Sequence, residues 1–222
     1  EASVDDSAKA KPAAKPRDRK TKPAKADTKK PEKPVAKSAP ARPLEELANI
    51  IEVALTDSAS TNRSDPNRDR AQRAAAMLKQ IDIGVAAADE LIAAYPKDHT
   101  AVAKAWRDKL TLLYQGARNK LDGLADQLDE ASANVAATQY QEEAEYGDGL
   151  VFGIRHLHSD KPVHEVVAEL SRHTKSFPKG KSSARLFLAY AKELVEKNQK
   201  ADASSVCQVA LWELHDHPEL GH

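Results

Sequence analysis

Histidines are the residues of this 222-residue chain whose type and spacing could best support chemistry. Four of the eight histidines fall within eighteen residues, and three more stand at the end of the chain. The first cluster is His156, His158, His164 and His173, and the second is His215, His217 and His222. Imidazole nitrogens bind zinc and act as general acids or bases near neutral pH. Both clusters are therefore candidate metal sites, although we expect exposed or helix-capping histidines in each.

The first cluster contains the segment His156-Leu157-His158-Ser159-Asp160-Lys161. This segment resembles the HxHxDH metal motif of the metallo-β-lactamase fold, a resemblance that would imply a metal-dependent enzyme. Lys161 stands where the motif has its third ligand, and that fold needs repeated buried strands, which this chain does not contain. We therefore predict no metal and no other cofactor.

Acidic residues offer a second chemistry, general acid–base catalysis by paired carboxylates. Such pairs need burial to shift their pKa values, whereas Asp129-Glu130 and Glu142-Glu143-Glu145 fall on the polar faces of predicted helices. We predict that both runs are solvated. Gly147-Asp148-Gly149 lacks the strand-turn-helix context of a phosphate loop or a nucleophile elbow. The sequence thus predicts no catalytic residue and no enzyme.

Two tryptophans and a single cysteine complete the candidate residues. Trp106 and Trp212 lie on or beside the apolar faces of predicted helices, so we predict core positions rather than binding platforms. Cys207 excludes an internal disulfide and a CxxC redox pair, and we predict a small buried hydrophobe there.

Two long amphipathic helices, folded back on each other at Tyr95-Pro96-Lys97-Asp98, organise the chain. Apolar residues in both recur every three or four positions, which places each set on one face. In the first arm they are Ala71, Ala74, Leu78, Ile81, Val85, Ala88, Ile92 and Tyr95. In the return arm they are Val102, Ala105, Trp106, Leu110, Leu113, Ala117, Leu121, Leu124, Leu128, Ala131 and Val135.

The helix ends follow from capping residues. Ser64 or Asp65 is predicted to cap the first arm, which would begin at Pro66, and Asp98 or Thr100 the return arm. The return arm is predicted as one continuous helix of about 60 Å, with a break or bend at its glycines as the alternative. Those glycines are Gly116 and Gly123.

Shorter elements flank the two arms. A first helix is predicted from Pro43 through Leu55, followed by a loop over residues 57–65. Tyr146-Gly147-Asp148-Gly149 is predicted to end the return arm, and Leu150–Ile154 alone has strand character. Three further helices are predicted: one that begins at Pro162, one around Phe187, and one that ends before Pro218. The predicted fold is all-α, an antiparallel array of about six helices.

The first 43 residues differ from the rest in composition. They carry thirteen Lys and Arg against six Asp and Glu, a net charge of +7, which leaves residues 44–222 at −7. Frequent prolines, the absence of aromatic residues and the near absence of large aliphatic ones predict a disordered basic tail, residues 1–43, ahead of a helical domain, residues 44–222. Such a tail is either a solvated linker or an arm that contacts nucleic acid or another polyanion.

Residues 176–218 resemble a tetratricopeptide (TPR) helix-turn-helix repeat. With Phe187 as the first large residue of the repeat, the positions that the repeat fills with small residues fall at Ala191, Ala203 and Ala210. Cys207 stands where the repeat has a large aromatic residue. The chain is also similar to the helical segments that precede thioredoxin-like domains in some exported bacterial proteins. Apolar spacing predicts a long helical hairpin region over residues 44–146, and the resemblance implies TPR-like helices over residues 162–218.

These observations favour a non-enzymatic protein-interaction or scaffold module with a basic tethering tail. The alternatives are tail-mediated binding of nucleic acid or polyanions within a larger assembly and, less favoured, a metal-dependent enzyme using the first histidine cluster. We expect protein partners and no membrane span, since no apolar run approaches the roughly 20 residues that a spanning helix needs. Because the chain starts at Glu1 without methionine, we expect that an N-terminal segment was removed, either by processing or by design of the expressed chain. A cleaved export signal would fit, so a periplasmic or exported location is slightly favoured over the cytoplasm.

Overall fold

Eight α-helices make up the part of the chain that the computed structural model describes, residues 42–61 and 69–215. They are α1 (Leu44–Thr61), α2 (Arg70–Ala94), α3 (His99–Arg118), α4 (Leu124–Ala136), α5 (Gln141–Arg155), α6 (Val163–Ser176), α7 (Ser183–Glu196) and α8 (Lys200–Glu213). Those residues include no β-strand, so the all-α prediction is confirmed for them. None of these helices is both long and apolar enough to cross a membrane.

The first three helices pack side by side around a leucine- and alanine-rich core. As predicted, α1 follows Pro43 and α2 turns back into α3 at Tyr95-Pro96. Asp98 caps α3, since its side chain accepts a hydrogen bond from the Ala101 backbone N–H at 3.0 Å. The predicted loop after α1 begins later than expected, because the helix continues through Thr61.

The cap predicted for α2 is corrected by the structure. This helix begins at Arg70, and the Asp69 side chain accepts the Gln72 backbone N–H at 2.7 Å. Ser64, Asp65 and Pro66 lie outside the described residues, as do the stop at Pro218 and residues 1–41 of the predicted tail over residues 1–43.

The return arm is not one continuous helix, so that prediction is wrong. The chain leaves α3 after Arg118 and enters α4 at Leu124. Between them Lys120 and Gly123 have left-handed backbone conformations, with φ of 59° and 76°. A left-handed residue ends the α-helical hydrogen-bond ladder, and glycine adopts this conformation without steric cost. The apolar spacing continues across the break because α4 folds back onto α3 and α5.

A second correction concerns α5. Tyr146-Gly147-Asp148-Gly149, predicted to end the return arm, lies inside this helix, and Leu150–Ile154, the segment with strand character, forms part of its last turns. Gly147 is tolerated because the helix packs closely at that point. A Cβ there would lie 2.9 Å from Ser132 Oγ and 3.2 Å from a Leu110 methyl carbon. Tertiary packing thus outweighs the low helix propensity of glycine.

Two hydrophobic cores divide the described helices. The larger one is built mainly from α1 to α4, and the smaller one from α6, α7 and α8. Helix α5 contributes to both, with Ala144 in the larger core and Phe152 in the smaller one. Helices α7 and α8 pack against each other, joined by the short turn at residues 197–199.

Candidate functional site

The histidines of the HxHxDH-like segment point to different partners. His156 is half-buried after α5, with its ring stacked on Phe152 at a centroid distance of 5.1 Å. Burial, followed by the positive charge of Lys161, lowers the pKa of His156 below its ordinary value. His158 is exposed, and its backbone N–H donates to both Glu193 carboxylate oxygens at 2.9 Å.

The other predicted metal ligands are equally dispersed. His164 is exposed in the first turn of α6. His215 is exposed after α8, with its Nδ1 atom 2.6 Å from the Trp212 carbonyl oxygen. His217 and His222 lie outside the described residues. Within residues 42–61 and 69–215, no three His, Cys, Asp or Glu side chains are grouped to hold a metal ion.

His173 departs from the expectation of an exposed or capping histidine. It is fully buried on α6, and its Nδ1 atom lies 2.6 Å from Asp148 Oδ2 on α5. On the other side of the ring, its Nε2 atom lies 2.7 Å from Ser182 Oγ, immediately before α7. The Phe177 ring packs beside it at a centroid distance of 5.2 Å. Hydrogen-bond partners on two neighbouring elements explain how this polar ring is accommodated without solvent.

The acidic run in α5 is also less solvated than predicted. Glu145 Oε1 accepts hydrogen bonds from Ser182, at 2.6 Å from the backbone N–H and 2.5 Å from the hydroxyl. Gly180 makes this approach possible, since a Cβ there would lie 2.5 Å from Glu145 Cδ. Glu143 is almost fully buried, 3.5 Å from the Arg107 guanidinium. The prediction of a solvated run is therefore wrong for Glu143 and Glu145, because α5 is covered on more than one side.

Asp148, His173 and Ser182 reproduce the connectivity of a Ser–His–Asp triad, in which Asp contacts Nδ1 and Ser contacts Nε2. Here, however, Glu145 accepts the Ser182 backbone N–H, a donor that a triad would direct at an oxyanion. The Ser182 backbone N–H and its hydroxyl both donate to Glu145. A negative charge beside the hydroxyl opposes the oxyanion that acyl transfer would form. The arrangement is suited to joining helices rather than to activating Ser182.

Asp148 also belongs to an ionic contact at the surface. The Arg172 guanidinium donates to its two oxygens at 3.0 and 3.2 Å. Burial acts to raise the pKa of Asp148, but hydrogen bonds from His173 and Arg172 outweigh it and the pKa lies below its ordinary value. Asp148, Arg172 and Phe177 line a cleft of about 400 Å³ between α4, α5 and α6.

The last two helices expose large apolar side chains. Of the six such side chains exposed among the described residues, four lie on α7 and α8. These four, termed here the outward residues, are Leu188 (69% exposed), Val195 (50%), Leu211 (71%) and Trp212 (78%). Leu188 and Val195 are seven positions apart and so share one side of α7. Large apolar side chains that are exposed together on one pair of packed helices are typical of interaction surfaces, whereas single exposed ones are normal.

Two residues of α8 that were predicted to be buried are exposed. They are Trp212 and Cys207. Helix α8 buries only one side, through Ala203, Val206 and the following Leu214, so residues that flank that side face solvent. Trp106, the other tryptophan, is 8% exposed, and its predicted core position is confirmed.

The fold and these surfaces define the class: an all-α protein with two hydrophobic cores and exposed apolar residues concentrated on its last two helices. A scan against known protein families and searches of curated proteins and of solved structures found no match to this chain.

Proposed function

We propose that this chain is a non-enzymatic protein-interaction module with a TPR-like final helix pair, and that it binds a partner protein through the outward residues of α7 and α8. The observation that supports the proposal is the exposure of Leu188, Val195, Leu211 and Trp212 on one helix pair. Trp212, with more than three quarters of its surface exposed, is the type of side chain that dominates the binding energy of many interfaces.

Basic side chains beside the apolar residues of α7 indicate what the partner presents. Arg185 lies one turn before Leu188, is exposed, and makes no hydrogen bond or ion pair with another described residue. Lys192, one turn after Leu188, approaches Glu196 only to 4.0 Å, with both side chains mostly exposed. We therefore expect a partner segment with apolar anchors and carboxylates at its rim, because opposite charges at a rim favour association.

The single cysteine allows a direct test. Cys207 is exposed on α8, one turn before Leu211, so a photocrosslinker attached to it would report contacts at this surface. Crosslinking in extract of the source cells should give a discrete protein adduct, which purified Leu188→Ser/Leu211→Ser/Trp212→Ser protein should lose. The control carries Cys207→Ser and Ala86→Cys, which moves the probe to an exposed position on α2.

A matched substitution separates the proposed surface from general loss of apolar area. Val53 on α1 and Ile83 on α2 are the other two exposed large apolar residues among the described residues, at 48% and 42%. Val53→Ser/Ile83→Ser should leave the adduct unchanged. An adduct that survives the substitutions on α7 and α8, or that forms equally well from position 86, would refute the proposed surface.

The same assay distinguishes the polyanion alternative. Deletion of residues 1–43, which hold a net charge of +7, should preserve the adduct if the helical domain carries binding. Tail-mediated binding would instead disappear with the deletion and weaken steeply with salt, since each neutralised phosphate contributes a counterion-release term.

A further inference from the structure

The cleft of about 400 Å³ between α4, α5 and α6 has the size of a small-molecule site. It exists because α4 and α6 each pack against α5 but not against each other. On α4 the lining residues are Asp129, Ser132, Ala133 and Ala136, whose spacing by three and four places them on one side of the helix. One face of α4 is therefore directed at open space rather than at a neighbouring helix.

Ser132 places a buried hydroxyl group without a partner in the wall of this cleft. The residue is 7% exposed and makes no hydrogen bond with another described residue. Gly147 of α5 leaves room beside it, since a Cβ there would lie 2.9 Å from Ser132 Oγ. Buried hydroxyl groups are ordinarily paired, so an unpaired one in a cleft wall marks a position where a bound molecule can supply the partner.

Asp129, one turn before Ser132, also has accepting capacity that the protein leaves unused. Its Oδ2 atom accepts hydrogen bonds from the Arg155 guanidinium at 2.6 and 3.0 Å. Its Oδ1 atom has no partner among the described residues, although a carboxylate oxygen can accept two hydrogen bonds. The side chain is 40% exposed, so it can turn Oδ1 towards the cleft. Asp129 and Ser132 thus offer neighbouring acceptors to one donor group.

The charges around the cleft favour a cation. The charged side chains that line it, together with their ion-pair partners, are Asp126, Asp129, Asp148, Glu169, Arg155 and Arg172. Four carboxylates and two guanidinium groups give this set a net charge of −2. The set stays negative whether or not the His173 ring, which contacts Asp148, is charged. The positive charge of Arg172 at the rim is matched by Asp148 and Glu169, which leaves little attraction for an anion.

Apolar side chains complete the cleft, among them Ala133, Val151 and the ring of Phe177. An aromatic face attracts cations as well as apolar groups. We propose that this cleft binds a small organic cation, an ammonium group on an apolar body. The ammonium N–H groups donate to Asp129 Oδ1 and Ser132 Oγ, while the apolar body packs against Ala133 and Phe177. None of the outward residues of α7 and α8 lines the cleft, so this inference does not rest on the proposed function.

Two-dimensional NMR of the full chain, titrated with 2-phenylethylamine at about pH 7, tests the site. An alkylammonium group keeps its proton at this pH. We expect backbone amide shifts concentrated at residues 129–136 and 148–151, with saturation at roughly millimolar concentration. Neutral 2-phenylethanol and anionic 3-phenylpropionate should bind at least about fivefold more weakly, because neither forms the hydrogen bond between charged groups. No saturable shift at these residues with the amine, or equal binding of all three compounds, would overturn the proposal.

Substitutions identify the contacts. Asp129→Asn should weaken binding of the amine about tenfold, the contribution expected of a hydrogen bond between charged groups. Glu130→Gln, which removes an exposed carboxylate outside the cleft, should leave the affinity unchanged. Ser132→Ala should weaken binding without lowering the urea midpoint, because its hydroxyl has no partner in the protein to lose. Equal effects of Asp129→Asn and Glu130→Gln, or full affinity in Asp129→Asn, would contradict the assignment.

A variant that fills the cleft keeps the test independent of these polar groups. Ala133 is exposed on α4, so Ala133→Leu adds a larger side chain to the cleft without overpacking a core. It should abolish binding of 2-phenylethylamine. Ala86→Leu, at an exposed position of α2, is the matched control and should bind the amine as the wild-type protein does. Binding that survives Ala133→Leu would place the amine elsewhere and refute the site.

Discussion

Gly84→Ala is expected to destabilise this protein even though alanine is the better helix former. Gly84 lies in the middle of α2, where the helix passes closest to α1 and α3. A Cβ at this position would lie 2.7 Å from Ala54 Cβ and 2.6 Å from Leu112 Cδ1. The leucine methyl group can rotate away. The Ala54 Cβ is fixed to the backbone, so α1 and α2 must separate to admit the new methyl group.

The magnitude follows from two opposing contributions. Replacing glycine by alanine within a helix stabilises it by about 1 kcal/mol. Overpacking a well-filled core by one methyl group typically costs about 1–3 kcal/mol, and a contact with a fixed atom belongs in the upper part of that range. We therefore expect Gly84→Ala to lower the free energy of unfolding by about 1–2 kcal/mol, which corresponds to roughly 2–8 °C in Tm for a domain of this size.

Gly149→Ala is the matched control. Gly149 also lies inside a helix, α5, but a Cβ there would meet its nearest neighbours, on Leu186 and Ser182, at 3.8 Å, an ordinary van der Waals distance. Only the helix-propensity contribution remains, so this substitution should stabilise the protein by up to about 1 kcal/mol. Urea unfolding followed by far-UV circular dichroism, with the slope m held constant, measures both variants.

The double variant isolates the contact. Ala54→Gly removes the atom that the methyl group introduced by Gly84→Ala would meet, so it should be less destabilising in the Gly84→Ala background than in the wild-type protein. A Gly84→Ala variant that is as stable as the wild-type protein would show that α1 and α2 do not approach as closely as described. Equal costs of Ala54→Gly in both backgrounds would assign the effect to another cause.

Three further outcomes are expected. Asp98→Ala should cost about 1 kcal/mol by loss of the α3 cap, as measured by urea unfolding beside Thr100→Ala, which should cost less. Glu193→Gln should cost about 1–3 kcal/mol, because this buried carboxylate accepts a 2.7 Å hydrogen bond from Lys197; thermal unfolding measures it. The pKa of Asp148 is lowered in the folded protein, so its carboxylate stabilises the fold fully above the ordinary carboxyl range. This contribution is lost as pH falls below about 4. The urea midpoint should therefore fall less on acidification in Asp148→Asn than in the wild-type protein.

Apolar spacing was sufficient to identify residues of the larger core. Ile81, Leu110, Leu113 and Leu128 all recur at helical intervals and are all fully or almost fully buried. The turn at Pro96 could be predicted because proline and the capping Asp98 act locally, within one helical turn. Local signals of this kind need no knowledge of which helix packs against which.

The break between α3 and α4 and the course of α5 depend on tertiary contacts, so spacing alone misplaced them. Gly116 and Gly123 are both glycines in an apolar repeat, yet Gly116 stays helical and Gly123 adopts a left-handed conformation. Gly116 stays helical where α3 packs tightly, since a Cβ there would lie 2.0 Å from Leu124 Cδ1. That leucine follows the break, so the two glycines have complementary roles that only the folded arrangement reveals.

The linked hydrogen bonds of Glu145, Asp148, His173 and Ser182, termed here the polar chain, could not be predicted for a related reason. Glu145, Asp148 and Phe152 are spaced by three and four residues, which places them on one face of α5. In sequence this face is interrupted by glycines and resembles a solvated acidic run. Its partners, His173 and Ser182, come from two later elements. His173 continues the helical spacing of Val166 and Leu170, but that spacing does not identify the polar groups that it meets. Trp212 differs from the prediction in the opposite direction, because it was expected to be buried and is exposed. Periodicity identifies the apolar face of α8 but not how much of that face other helices cover.

Helix α5 is where the two cores and the polar chain meet, and this sets how the two parts of the molecule depend on each other. Its Ala144 face packs into the larger core, whereas its Phe152 face packs into the smaller one. Glu145 of α5 accepts hydrogen bonds from Ser182 at the start of α7, and Asp148 of α5 contacts His173 of α6. Hydrogen bonds to charged groups depend on protonation, whereas apolar burial does not. Because the pKa of Asp148 is lowered in the folded protein, acid should weaken its contacts with His173 and Arg172 and so loosen α6 from α5.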